Sequence, residues 1–246
     1  MSSTLPVFSV DELPAESRTR LTGPEGKHAA TVRRMRSGER LVLSDGRGGL
    51  AECGVVEVLK DALELEVRQR REVPPSEPRV ELVQALVKGD RGELAVELAT
   101  EAGVDSVIPW RAERCVAKWD DGPRGAKALT RWRNAASRAA KQARRAWVPS
   151  VEEPVGTAAV AEFLPDYTAA LVLHESGECS LPEITLPHSG RLALVVGPEG
   201  GVTEAELSAL CAAGGRPVRL GPEVLRASTA GAVALGALGA LTGRWA

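Results

Sequence analysis

Apolar and polar positions alternate with a period of two over Arg40–Ser44, Leu50–Leu59 and Ala62–Arg68, the pattern of short, half-buried strands. Between the first two, Ser44 to Gly49 reads Ser-Asp-Gly-Arg-Gly-Gly, a hairpin turn whose glycines supply positive φ. One helix is expected from about Pro24 to Met35. The pattern breaks at Val73-Pro74-Pro75-Ser76-Glu77-Pro78, where three prolines in six residues make a stiff linker that neither a helix nor a sheet interior accepts. Beyond it the strands become wholly apolar: Val80–Val87, Val104–Pro109, Ala169–His174, Leu192–Val196 and Pro217–Leu220. They alternate with helices expected at Gly92–Ala102, about Arg124 to Trp147, Thr203–Ala213 and Arg226–Leu241. Apolar strands separated by helices predict a parallel sheet covered on both faces. The fold class is therefore α/β, with a small β-rich domain over 1–72 and a parallel-sheet domain over 73–246.

Composition adds exclusions. With 246 residues, 43% of them apolar and 26% charged, the chain buries a sizeable core, which rules out disorder. The long weakly polar run, Ala230 to Leu241, is far shorter than the roughly 20 residues of a membrane span. Met1 to Arg20 carries Asp11, Glu12 and Glu16 and no apolar run, so no secretory signal is expected there and the protein reads as cytoplasmic. Cys53, Cys115, Cys179 and Cys211 are widely spaced, without Cys-x-x-Cys, so reduced thiols are expected and no metal site.

Charge is uneven. Eight basic residues and no acid lie between Arg124 and Arg145, and eight basic residues face three acids between Arg18 and Arg47. Two positive patches on a chain of net charge −2 point to a localised polyanion contact. In the basic helix Lys127, Arg131, Asn134, Arg138, Lys141 and Arg145 form one polar stripe, and Leu129, Trp132, Ala136, Ala139, Ala143 and Ala146 the apolar one.

Parallel sheets bind ligands beyond the carboxyl ends of their strands, which directs attention to the loops after His174, Val196 and Leu220. Gly197-Pro198-Glu199-Gly200-Gly201 joins a strand to a helix opened by a Thr203/Glu206 capping box. Its glycines let backbone approach a ligand. It has neither a Gly-x-Gly-x-x-Gly fingerprint nor a Gly-Lys-Ser/Thr phosphate grip, and Glu199 would repel a phosphate, so a neutral or cationic ligand fits better. The second loop, Leu220-Gly221-Pro222-Glu223-Val224-Leu225-Arg226, runs into a helix rich in Ala and Gly, whose glycines are expected to pack closely on another backbone. Arg226 sits at the positive end of that helix, the unfavourable end for a cation unless it serves a ligand.

These two loops together resemble the SPOUT methyltransferases, in particular the bacterial enzymes that methylate uridine N3 in small-subunit (16S) ribosomal RNA. The likeness extends to His28 with Val32-Arg33-Arg34, the Gly38-Glu39 turn, Lys88-Gly89-Asp90, Ala95 to Val104, and Arg131-Trp132 with Gln142 and Arg145. It implies a PUA-like RNA-binding barrel, a C-terminal trefoil-knot domain, S-adenosylmethionine bound by the knotted loops, and a homodimer through the last helix. The donor site implied is Leu173, His174, Val196, Gly197, Pro198, Gly200, Leu220, Gly221, Leu225, Arg226 and Ser228. RNA is expected at His28, Arg33, Arg34, Arg36, Lys127, Arg131, Arg138, Lys141 and Arg145. In catalysis Arg226 would stabilise the anion of a deprotonated uracil, and Glu199, His174 and Glu175 are candidate bases. Two positions depart from the family pattern: Ser228 stands where it usually has a glutamate, and Lys141 where an acid commonly precedes the Gln. The alternatives are a methyltransferase with another RNA target, a non-catalytic ribosome-assembly protein, and a nucleotide-dependent enzyme, the last disfavoured by the missing phosphate motifs.

Overall fold

The computed structural model describes residues 5–245; residues 1–4, the start of the segment read for a leader, and residue 246 lie outside them. The chain divides into two compact units, one running to Pro75 with Ala140–Val148 added, the other Ser76–Ala139 with Pro149–Ala246.

The first unit holds β1 (Val7–Ser9), β2 (Arg18–Leu21), α1 (Gly23–Lys27), β3 (Arg40–Ser44), β4 (Gly49–Val58) and β5 (Leu63–Glu72). They form one sheet in the order β1-β3-β4-β5-β2. Strand alternation places Leu41, Leu43, Ala51, Cys53, Leu63 and Leu65 in a common core with Phe8 and Met35. The expected helix is shorter than its pattern: α1 passes into a π turn, His28–Val32, and Arg34 adopts φ 51°. Gly46 and Gly48, at φ 69° and 99°, make the predicted hairpin turn. The strands β1 and β2 escape a pattern search because they are short and only partly buried.

The second unit holds β6 (Arg79–Ala85), α2 (Arg91–Glu101), β7 (Ser106–Arg111), the start of α3 (Pro123–Gln142), β8 (Ser150–Val151), β9 (Val155–Gly156), α4 (Thr157–Phe163), β10 (Ala169–Leu173), β11 (Cys179–Ser180), β12 (Arg191–Val196), α5 (Glu204–Ala212), β13 (Gly215–Arg219) and α6 (Ala227–Thr242). The sheet runs β11-β13-β10-β12-β6-β7-β8 with β9 beside β7, and its pairings are parallel. Both faces of β6, β10 and β12 are buried, which is why these strands read as unbroken apolar runs. Trp110, fully buried at the end of β7, anchors the core; truncating it to Ala would cost about 3–5 kcal/mol. The basic helix ends at Gln142 rather than Trp147, so Ala143 is exposed and not part of its apolar stripe.

Register fixes where the loops meet. Leu173 pairs with Val196 across β10 and β12, and with Val218 across β10 and β13, so the carboxyl ends of three strands lie side by side.

The glycines of α6 correct an expectation. A side chain built at Gly231 would meet Leu82 at 3.2 Å, and one at Gly236 or Gly239 would meet the Trp245 ring at 3.2 or 2.6 Å. They make room for side chains of this chain, not for another backbone.

Candidate active site

A cavity of about 1040 Å³ opens at the carboxyl edge of the parallel sheet. Its wall includes every residue expected at the donor site, from Leu173 and His174 through Val196, Gly197, Pro198 and Gly200 to Leu220, Gly221, Leu225, Arg226 and Ser228. Glu199 lies on it too, exposed, with Oε1 accepting the Lys88 backbone N–H at 3.4 Å. That bond joins the glycine loop to the segment that follows β6. Arg226 occupies the N-cap of α6 with extended backbone, its side chain exposed at the cavity wall. Ser228, the second residue of the helix, is buried.

The glycines in the first loop do something other than leave space for a ligand. A side chain at Gly197 would strike Val202 Cγ2 at 2.7 Å, and one at Gly200 would strike Arg114 Cβ at 3.0 Å. At Gly221 only the Glu223 carboxylate stands near, at 3.6 Å, so that position does face the cavity.

His174 Nδ1 lies 2.7 Å from Ser176 Oγ and accepts the Ser176 backbone N–H at 3.2 Å. To act as a base through Nδ1, His174 would have to give up that hydrogen bond. Glu175 and Glu199 remain on the wall.

The predicted capping box forms, and its glutamate does more than cap. Thr203 Oγ1 accepts the Glu206 N–H, while the Glu206 carboxylate receives the Thr203 N–H and hydroxyl, the Glu113 N–H at 2.9 Å and the Thr157 hydroxyl at 2.7 Å. Burial alone would raise its proton affinity, but these donors outweigh it and hold the carboxyl below its ordinary value. Glu206 thereby clamps together the loop after β7, the start of α4 and the start of α5.

Sequence reasoning missed Arg91, Arg114 and Arg219 on this wall. The same rule that found the other loops would have found Arg114, had it been applied to the loop after β7.

The expected RNA residues are placed unit by unit. In the first unit Arg33, Arg34 and Arg36 are exposed and form no ion pair among the described residues; His28 is half-buried with its ring edge-on to Phe8. Lys141 there is half-buried, bonded to both Glu25 oxygens at 2.7 and 2.6 Å and 5.2 Å from the Phe8 ring centre. In the second unit Arg131 pairs with Glu93 at 3.3 Å, while Lys127 and Arg138 are exposed. The stripe lacks acids within its own helix, but Glu25 and Glu93 reach two of its cations from elsewhere in the chain. Burial pushes the Cys53 thiol up to about 11 and raises Cys115 as well, so both stay protonated. Among the described residues no cluster suits a metal ion and no helix is long and apolar enough to cross a membrane.

An RNA methyltransferase domain model matches residues 74–239, and an RNA methyltransferase PUA domain model residues 21–68. A ribosomal RNA small subunit methyltransferase E from Mycobacterium bovis is 50% identical over 244 residues, covering 97% of this chain and 93% of that one. The Bacillus subtilis protein of the same name is 33% identical, over 93% and 91% of the two chains. The crystal structure of the Neisseria gonorrhoeae protein of that name, bound to S-adenosyl methionine, superposes with a TM-score of 0.86 at 30% identity, covering 97% and 98%. The parallel-sheet domain that follows the PUA domain in the chain is thus of the SPOUT α/β knot class. Matched over nearly its whole length in both sequence and backbone, the chain belongs to the ribosomal RNA small subunit methyltransferase E family.

Proposed function

We propose that this chain transfers the methyl group of S-adenosylmethionine to N3 of a uridine in small-subunit ribosomal RNA. The observation that carries the reading is the convergence of three strand-end loops on one cavity that has glycine backbone and carboxylates but no phosphate-gripping lysine. S-adenosylmethionine supplies a methyl group on a cationic sulfonium. Glu175, Glu199, Glu204 and Glu223 on the wall suit that charge, and Leu173, Val196, Leu220 and Leu225 offer apolar surface to its neutral parts.

Uridine N3 carries a proton that must leave before nitrogen can attack carbon. Arg226 stabilises the negative charge that develops on the uracil oxygens, and Glu199 or Glu175 accepts the proton. The loops after β10, β12 and β13 fix the geometry between donor and acceptor, which lowers the entropic barrier. RNA contacts come from Arg33, Arg34 and Arg36 in one unit and from Lys127 and Arg138 in the other, with Arg131, Lys141, Arg145 and His28 as secondary sites.

A homodimer through α6 is part of the same proposal. Val233 and Leu241 on α6 and Trp245 just beyond it remain 49%, 42% and 59% exposed, apolar surface that a second copy would cover. Incubation with labelled S-adenosylmethionine and either free ribosomal RNA or small subunits, followed by mapping of the base, tests the reading. Label at uridine N3 in the small-subunit RNA is expected; a methyl group on another RNA or atom overturns it.

A further inference from the structure

Gly200 is a glycine because of Arg114. A side chain at that position would meet Arg114 Cβ at 3.0 Å and its carbonyl oxygen at 3.3 Å, so the turn after β7 packs directly onto the glycine loop. The turn is held from behind, where the Glu113 N–H bonds Glu206 at 2.9 Å and the Cys115 N–H bonds the Ala112 carbonyl at 3.1 Å. From this fixed base the Arg114 guanidinium donates through Nη1 to the Gly200 carbonyl at 3.2 Å. Among the described residues no carboxylate pairs with it, whereas Arg111, three residues earlier at the end of β7, pairs with Asp121 at 2.7 Å. Arg114 is exposed and lies on the cavity wall. A guanidinium pinned at one corner, with its other N–H groups unengaged among the described residues, presents the planar fork that suits a phosphate.

We propose that Arg114 is the acceptor-side anchor of the active site, taking a backbone phosphate of the RNA strand and so setting the target uridine against the glycine loop. The inference rests on the reading of this chain as an RNA methyltransferase. The phosphate is favoured over the donor's carboxylate because Arg114 is exposed, where a polyanion arrives from solvent.

The test compares Arg114→Gln and Arg114→Lys with the wild type in the full chain, measuring donor affinity by calorimetry and methyl transfer to small subunits over a range of salt. Because the side chain is exposed, both variants are expected to fold, as circular dichroism checks. Donor affinity should stay within about twofold, while KM for small subunits rises about 10- to 100-fold in Arg114→Gln and less in Arg114→Lys. The slope of log KM against log salt should flatten by roughly 0.7–0.9, the signature of one lost phosphate contact. Loss of donor affinity with an unchanged salt slope would assign Arg114 to the donor's carboxylate and overturn the proposal, as would an unchanged KM in Arg114→Gln. If the wild type transfers no methyl group to RNA, the functional reading fails; salt-dependent binding of small-subunit RNA by wild type and Arg114→Gln then still decides the role of Arg114.

Discussion

The two edges of the parallel sheet are built from the same strands and use their charges in opposite ways. At the amino edge, polar groups satisfy one another. Glu81, 8% exposed, accepts the Tyr167 hydroxyl and the Arg191 Nε–H, each at 2.8 Å, and the Arg191 guanidinium stacks 4.3 Å from the Tyr167 ring centre. Asp105 takes Arg244 at 2.8 Å and the Val80 N–H at 2.7 Å, and Arg244 also reaches the Pro78 and Gly103 carbonyls. At the carboxyl edge Arg91, Arg114, Arg226, Glu199 and Glu223 share a cavity and form no ion pairs among the described residues. Charges paired within the fold hold it together; charges left unpaired around a cavity are available to a ligand.

Breaking the amino edge should therefore damage stability and spare chemistry. Arg244→Ala strands Asp105 in a site where both partners are under one-tenth exposed, and is expected to cost about 3–5 kcal/mol of unfolding free energy in urea titration, with donor affinity unchanged. A loss of donor affinity in a variant that remains folded would erase the distinction between the edges. Breaking the carboxyl edge should do the reverse: Arg226→Ala is expected to lower kcat about 10²- to 10³-fold while leaving the urea midpoint and RNA affinity near wild type. Equal turnover in that variant would remove Arg226 from the chemistry. Tyr167→Phe sharpens the amino side, because it takes one donor from the Glu81 carboxylate but leaves Arg191; the expected cost is about 1.5–3 kcal/mol, read from the same titration.

The smallest effect concerns Glu206, a carboxyl-edge acid held by four donors of the fold. Its folded carboxyl binds a proton less readily than the ordinary value of 4.5. The unfolded chain therefore takes up the proton first, and the stabilisation, complete above that value, is lost as pH falls through the lower folded one. Glu206→Gln should flatten this acid limb of stability, which urea midpoints measured down the acid range would show; a limb as steep as in the wild type would mean that another carboxylate carries it.

Much of this arrangement was legible in the residues. The apolar runs Val80–Val87 and Leu192–Val196 and the two glycine-bearing loops encode strands and strand-end turns locally, and the structure gathers the residues expected at the donor site around one cavity. The short strands Val7–Ser9 and Ser150–Val151 were not legible, because two or three residues carry no period. Nor was the occupant of the space beside Gly200 legible, although the glycine itself was.

The sequence by itself determined the α/β class, the loops that line the cavity and the absence of a phosphate-binding motif in them, since strand periodicity, glycine placement and loop chemistry are each written in neighbouring residues. Only the tertiary structure decided which charges are neutralised and which are free. Lys141 finds Glu25 across 116 residues and Arg114 finds the Gly200 carbonyl across 86, and such pairings follow from strand order and register, which no local pattern specifies.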